Sequence, residues 1–186
     1  EDAKRRILRH RRQRAGRGFQ TVECPEDLEK LKIPAGSGVL LECLSNLTAN
    51  ELYEKDGRVR DRELVKQKIL RGLRRLAGQA EVLAIVTNEI FSDGAEYGED
   101  IRVYQELLGE LNREAACMAD QVTEVIYGIP LKKKRETVEN FSTESANGGK
   151  RNSHEQEMEK CAQNFKMEQS GKSGGKGMRM YIGGAY

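Results

Sequence analysis

The sequence has no apolar run long enough to cross a bilayer and no signal-peptide pattern, so no membrane span is expected. It also lacks any strong charge imbalance. The net charge of +2 gives no global field that would argue for nucleic acid. Aromatic residues are only 5% of the chain. None is interleaved with the basic N-terminal stretch, and no RNA-binding motif is present, which argues against an RNA-stacking surface. The four cysteines, Cys24, Cys43, Cys117 and Cys161, are scattered without metal-ligand spacing. They read as reduced packing thiols of a cytoplasmic protein. Hydrophobic residues are 37% and charged residues 33%, so part of the chain is expected to lie outside a core. The sequence does not open on Met, which leaves an upstream start open.

What is present is a repeating order of elements. Residues 39–42, VLLE, form a continuous apolar run that ends in a carboxylate. Such a run predicts a strand buried on both faces, as in a parallel sheet. Glu42 then stands at the carboxyl end of the strand, where open α/β sheets place ligands. The plain alternative is that it is the first exposed residue after the strand. A short helix is expected over 45–54, with Leu47 and Leu52 buried. Residues 61–77 carry the clearest amphipathic stripe, Val65, Ile69, Leu73 and Leu76, with Asp61 as cap and Gly78 as terminator. Residues 81–89, EVLAIVTNE, repeat the theme of an apolar strand running into polar residues. A helix over 99–119 places Ile101, Leu107, Leu108, Leu111, Ala115 and Met118 inward, and residues 122–127 form a further strand ending at Gly128. Residues 19–23, FQTVE, predict a short strand before all of these, and the stretch after Pro25 a turn or short helix. The units have the length of right-handed βαβ crossovers, so the fold class is α/β with a mainly parallel sheet and flanking helices. Ligand-facing residues are expected at strand ends: Glu42, Asn46, Thr87 to Glu89, and the loop after 127.

The N-terminal stretch has its own chemistry. Residues 1–17 hold eight Lys or Arg. Arg6, His10 and Arg14 share one helix face by their spacing. Flanking cations disfavour imidazole protonation and so keep His10 nucleophilic, and the same cations suit a triphosphate. A solvated basic helix with an incidental histidine remains the alternative, as does a phosphate-binding arm.

From 136 to 177 the composition turns to Ser, Gly, Asn, Gln, Lys and Glu, which predicts a disordered low-complexity linker. Its Gly-Lys pairs do not fit G-x-x-x-x-G-K-[ST]. Residues 178–186, MRMYIGGAY, read as a strand entering the start of a truncated or second phosphate-loop segment.

The stretches RRILRHRRQR (5–14), FQTVE (19–23), VLLECLSNLTANELY (39–53), VTNEIFSDG (86–94) and LLGELNREAACMADQVTEVIYGIPLK (107–132) together resemble one family. It is the bifunctional adenosylcobinamide kinase and adenosylcobinamide-phosphate guanylyltransferase of cobalamin (vitamin B12) biosynthesis. The resemblance covers roughly residues 1–132. It implies a P-loop NTPase-like (RecA-like) domain over residues 1–135, incomplete at its N-terminus because the family's opening strand and GxxxxGKS loop are not in their usual place. It implies a kinase and nucleotidyltransferase that phosphorylates adenosylcobinamide and transfers GMP from GTP through a guanylylated histidine. His10 matches that catalytic histidine. Arg11, Arg12, Gln13 and Arg14 match the segment beside it that contacts GTP. Glu23 and Glu42 match two GTP-contacting acids, and Glu42 also resembles a carboxylate that serves Mg²⁺. The implied cofactors are GTP, ATP and Mg²⁺; the implied partners are adenosylcobinamide and a nucleoside triphosphate, with a homo-oligomer compatible. The alternative is an inactive or fragmentary nucleotide-binding remnant. Three arrangements stay open: a fragment of a longer protein with a second P-loop domain from residue 178, an incomplete gene product, or a permuted chain whose C-terminal strand fills the vacant place.

Overall fold

A computed structural model describes residues 18–91, 97–134 and 177–184. Five strands, numbered in chain order, build one sheet: β1 (Gly38–Glu42), β2 (Val82–Glu89), β3 (Gln121–Ile126), β4 (Ile129–Lys134) and β5 (Gly177–Gly184). Their spatial order is β1-β2-β5-β3-β4. The last strand therefore lies in the middle, parallel to β2 on one side and β3 on the other. Only β4 is antiparallel.

Three α-helices accompany the sheet: α1 (Leu44–Leu52), α2 (Arg62–Gln79) and α3 (Glu99–Met118). Asp61 caps α2 as its position before the apolar stripe predicts, accepting a hydrogen bond from the Leu64 N–H at 2.9 Å. The stripe Val65, Ile69, Leu73 and Leu76 is buried, as are Leu107, Leu108, Leu111, Ala115 and Met118 of α3. They meet a row of side chains that crosses four strands. Leu41 pairs with Ile85, Ile85 with Met180, and Met180 with Val122. At ~25 cal/mol per Å² of buried apolar surface, this layer is the main source of stability. Lys66 on α2 bonds Glu110 on α3 at 3.0 Å and ties the two helices along their outer edge.

The crossovers β1 to β2 and β2 to β3 advance across the sheet in the same direction. Right-handed crossovers in one direction put their helices on one face. The opposite face is uncovered among the described residues, and this corrects the reading of β1. That strand is an edge, its residues alternate between exposed and half-buried, and Leu40 is 45% exposed. A run buried on both faces needs helices on both, and the described elements supply one layer.

Four smaller expectations also change. Residues 19–23 form no strand; Phe19 and Val22 are exposed, and no described strand pairs with the outer edge of β1. Gly78 does not end α2, which continues to Gln79 and closes at Ala80. Ile101 lies on the first turn of α3, short of the core, and is 44% exposed. The strand after α3 stops at Ile126 because Tyr127 and Gly128 form a two-residue turn with φ of 50° and 79°. Left-handed values at both positions match the twist of a tight hairpin. The basic run after it becomes β4, whose Lys134 ammonium donates to the Ala116 and Cys117 carbonyls at the end of α3. The expected linker over 136–177 lies outside the described residues apart from Gly177, where β5 begins.

The turn before β1 is fastened to α1 and α2. Leu28–Lys30 form one 3₁₀ turn, preceded by Asp27 at φ 59°. Glu51 of α1, 1% exposed, accepts from the Asp27 N–H at 2.7 Å and from the Lys68 ammonium at 2.7 Å. Lys68 also reaches Asp27 at 2.5 Å. Close packing completes the join. A Cβ at Gly72 would stand 3.0 Å from Leu28 Cβ and 3.1 Å from the Glu29 nitrogen, so any larger residue would press the turn a few tenths of an ångström away from α2.

Hydrogen bonds from Lys30 and then Lys68 hold the Asp27 carboxyl down at about 2. A carboxylate with a folded value below its unfolded value of ~3.9 adds stability above the unfolded value and loses it as pH falls through the folded one. Acid titration should therefore show a drop in urea midpoint between pH about 4 and about 2 that is smaller in Asp27→Asn. Parallel curves for the two proteins across that window would contradict the assignment.

Candidate functional site

The carboxyl edge of the parallel strands is not level. β1 stops at Glu42, opposite Val86. β2 continues through Thr87, Asn88 and Glu89, which pair with Ile182, Gly183 and Gly184 of β5. Gly183 also pairs with Val125 on β3. The Gly-Gly end of the central strand thus emerges between β2 and β3, next to Asn88 and Glu89. Glycines leave backbone N–H groups open to close approach by a ligand.

Side chains replace the missing ladder where β2 outruns β1. Asn88 donates through Nδ2 to Ser45 Oγ, 3.1 Å away, in the first turn of α1. Cys43 Sγ lies 3.0 Å from the same hydroxyl. Asn112 on α3 accepts from Thr87 Oγ1 at 2.7 Å and donates to the Asn88 carbonyl at 3.3 Å. Tyr104, one face of α3 with Asn112, donates its hydroxyl to the Ser45 carbonyl at 3.2 Å. Burial, with Cys43 beside it, pushes the Tyr104 hydroxyl up, so it remains a donor. Ser45, Thr87 and Asn112 are buried, and no buried polar side-chain atom of the described residues lacks a partner. Such a satisfied network fixes the strand ends relative to one another.

Of the residues singled out in the sequence, Glu42, Asn46 and Asn88 are exposed at this edge, and Glu89 is half-buried, its carboxylate accepting from the Phe91 N–H at 2.8 Å. Thr87 is a correction. Pleat parity turns it toward the helices, where it is fully buried against Asn112. Glu23 is exposed on the irregular segment before the 3₁₀ turn. His10, Arg11, Arg12, Gln13 and Arg14 lie outside the described residues. The described residues contain no group of three or more His, Cys, Asp or Glu arranged to hold a metal. Ser45, Tyr104 and Asn112 escaped sequence reading because each sits in a helix, where its spacing is that of an ordinary core or flank position. Only the polar interruption of the inward stripe of α3 at Asn112 signals a buried acceptor on the neighbouring strand.

No described helix is long and apolar enough to cross a membrane. Residues 1–133 match the sequence profile of the family described as cobinamide kinase / cobinamide phosphate guanyltransferase. The chain is also similar to the bifunctional adenosylcobalamin biosynthesis protein CobU of Escherichia coli (strain K12), with 27% identity over 138 residues, covering 68% of this chain and 76% of that protein.

Proposed function

The chain belongs to the cobinamide kinase / cobinamide phosphate guanyltransferase family, and from that premise we propose that it handles a nucleoside triphosphate at the carboxyl edge of its sheet. The reaction proposed is phosphorylation of adenosylcobinamide followed by transfer of GMP from GTP. The observation that carries this reading is the position of β5. Its Gly183–Gly184 end stands in the centre of the parallel strands, beside Asn88 and Glu89. A central strand running into glycines is where a RecA-like P-loop domain presents backbone N–H groups to phosphates. In this reading the C-terminal strand stands where the family's opening strand would.

In this reading His10 is the nucleophile. A bond forms between an imidazole nitrogen and the α-phosphorus of GTP, the bond to the bridging oxygen breaks, and pyrophosphate leaves. Arg11, Arg12, Gln13 and Arg14 carry the phosphates and guanosine, and Glu23 and Glu42 contact the nucleotide. GTP or ATP serves as phosphoryl donor. Mg²⁺ commonly takes one or two carboxylates and completes its shell with water and substrate phosphates. The exposed carboxylate of Glu42 at a strand end fits that donor set. When bound, the ion would neutralise phosphate charge.

Incubation with GTP labelled at the α-phosphate is expected to give an acid-labile, base-stable phosphoramidate on the full chain. His10→Ala should reduce the label by at least about a hundredfold, the range associated with loss of a covalent catalyst. Label that survives His10→Ala would refute the role of His10. Nucleotide binding without any label would favour the second reading, a nucleotide-binding remnant.

A further inference from the structure

A second charged site lies at the other end of the sheet. The 3₁₀ turn and the C-terminal half of α2 flank an open surface cavity of ≈ 500 Å³ lined by Glu29, Lys30, Lys32, Arg71 and Arg75. Arg71 and Arg75 are one helical turn apart on the exposed face of α2. Lys30 and Lys32 face them from the turn and the segment after it. Two of the four cations have local partners: Lys30 bonds Asp27 at 2.5 Å, and Arg71 bonds Glu29 at 3.3 Å. Lys32 and Arg75 have no carboxylate within salt-bridge distance among the described residues.

These like charges are held together by a rigid frame. Glu51, Lys68 and Asp27 fasten the start of the turn, and Gly72 admits Leu28 against the helix. Gln79 fastens its end. Its Oε1 accepts from the Ile33 N–H at 3.2 Å, and its Nε2 donates to the Leu31 carbonyl at 3.2 Å. Lys32 is thus bracketed by two anchored residues. Cations fixed opposite cations repel, and solvent screening reduces the cost without reversing its sign. A flexible turn would relax away from α2. This one is prevented from doing so by a buried carboxylate, a side-chain clamp and a glycine contact. With Glu29 paired to Arg71 and Asp27 to Lys30, the positive excess of the lining rests on Lys32 and Arg75.

We infer that this cavity is an anion site for a polyphosphate, separate from the carboxyl edge. The ligand chemistry is that of linked phosphate groups bearing about three negative charges, as in free pyrophosphate or the phosphate tail of a nucleotide. Gln79 ends α2 just before β2 begins, and Glu81 N–H bonds the Ser37 carbonyl at 3.0 Å just before β1. The cavity therefore sits toward the amino ends of the strands, away from Glu42 and Glu89. It does not depend on the catalytic reading.

The test is a calorimetric titration of the full chain with inorganic pyrophosphate, GTP and guanosine, together with thermal unfolding. Wild type is expected to bind pyrophosphate saturably and to melt at a higher temperature with it. Lys32→Gln combined with Arg75→Gln should weaken binding by at least about tenfold, as expected for two lost charge-assisted contacts. Lys55→Gln, an exposed cation elsewhere, should bind as wild type does. GTP binding that needs Lys32 and Arg75 would assign the nucleotide tail as the source, and pyrophosphate binding without it would assign the free anion. Without ligand, the double variant should melt at or above the wild-type temperature, because a repulsion has been removed. Equal pyrophosphate affinity in wild type and double variant would overturn the inference. So would absence of saturation at ~10 mM pyrophosphate, where the site would be weaker than about 3 kcal/mol of binding, displacement by guanosine, or a lower melting temperature in the unliganded double variant.

Discussion

Met180→Asp is expected to unfold the domain. Met180 is 1% exposed and lies in the middle of the central strand, with Ile85 on one side and Val122 on the other. Aspartate there would bury a carboxylate with no cation in the surrounding apolar row. The cost of an uncompensated buried charge exceeds ~4 kcal/mol. That is comparable with the whole stability of an ordinary domain, roughly 5–15 kcal/mol. Circular dichroism should show loss of cooperative unfolding, and urea melts should show a collapsed or absent transition. Arg179→Gln is the matched control, because Arg179 is exposed on the uncovered face of the same strand. It should shift stability by no more than about 0.5 kcal/mol. A Met180→Asp protein that melts as wild type does would mean that β5 is not the centre of the sheet. The β2 and β3 strands would then have to meet directly or remain apart.

That experiment bears on function as well as stability. β5 is the sole link between the β1–β2 pair and the β3–β4 hairpin in the described sheet. It also delivers Gly183–Gly184 to the edge that Asn88 and Glu89 line. The proposed phosphate-facing glycines and the packing of the core therefore rest on one strand. A milder change on its helix-facing side, such as Met178→Ala, should lower stability by about 2–3 kcal/mol without moving those glycines.

The sequence pattern foretold the helices well because their signal is internal. Val65, Ile69, Leu73 and Leu76 recur at helical spacing, and Asp61 stands where an N-cap belongs. Strand identity was equally plain for 82–89 from its apolar run, although only alternate members of that run are buried. What it could not convey was neighbourhood. VLLE reads the same on an edge as in the middle of a sheet, and nothing local announces that β1 is covered on only one face. Likewise MRMYIGGAY is recognisable as a strand, but its insertion between β2 and β3 depends on registry with residues far away in the chain. The site followed the same division. Glu42, Asn88 and Glu89 could be placed at strand ends from their order, whereas the Ser45–Asn88–Asn112 connections arise only when α1 and α3 pack over β2. Thr87 shows the limit of reading strand ends as exposed: one step of pleat separates it from Asn88 and turns it inward.

Glu51→Ala should be the most damaging change outside the apolar core, lowering stability by about 3–4 kcal/mol. The side chain is 2% exposed, and both oxygens are engaged, with the Asp27 N–H and with the Lys68 ammonium. Alanine removes the acceptor of a part-buried backbone donor and leaves Lys68 with Asp27 alone. Lys68 is 27% exposed and can recover water, which places the cost at the lower end of the range for broken buried pairs. Glu51→Gln keeps an oxygen for the Asp27 N–H but puts an amide donor where the second oxygen accepts from Lys68, so about 1–2 kcal/mol is expected. The ordering follows from geometry: the backbone bond fixes the left-handed Asp27, and the ion pair reinforces it. Urea denaturation of both variants checks the sizes. A cost below about 1 kcal/mol for Glu51→Ala would mean that the turn is held by Leu28 and Gly72 packing alone. Hydrogen exchange separates the two contributions further, since loss of the Glu51 clamp should expose the amides of Leu28–Lys30 before those of α2.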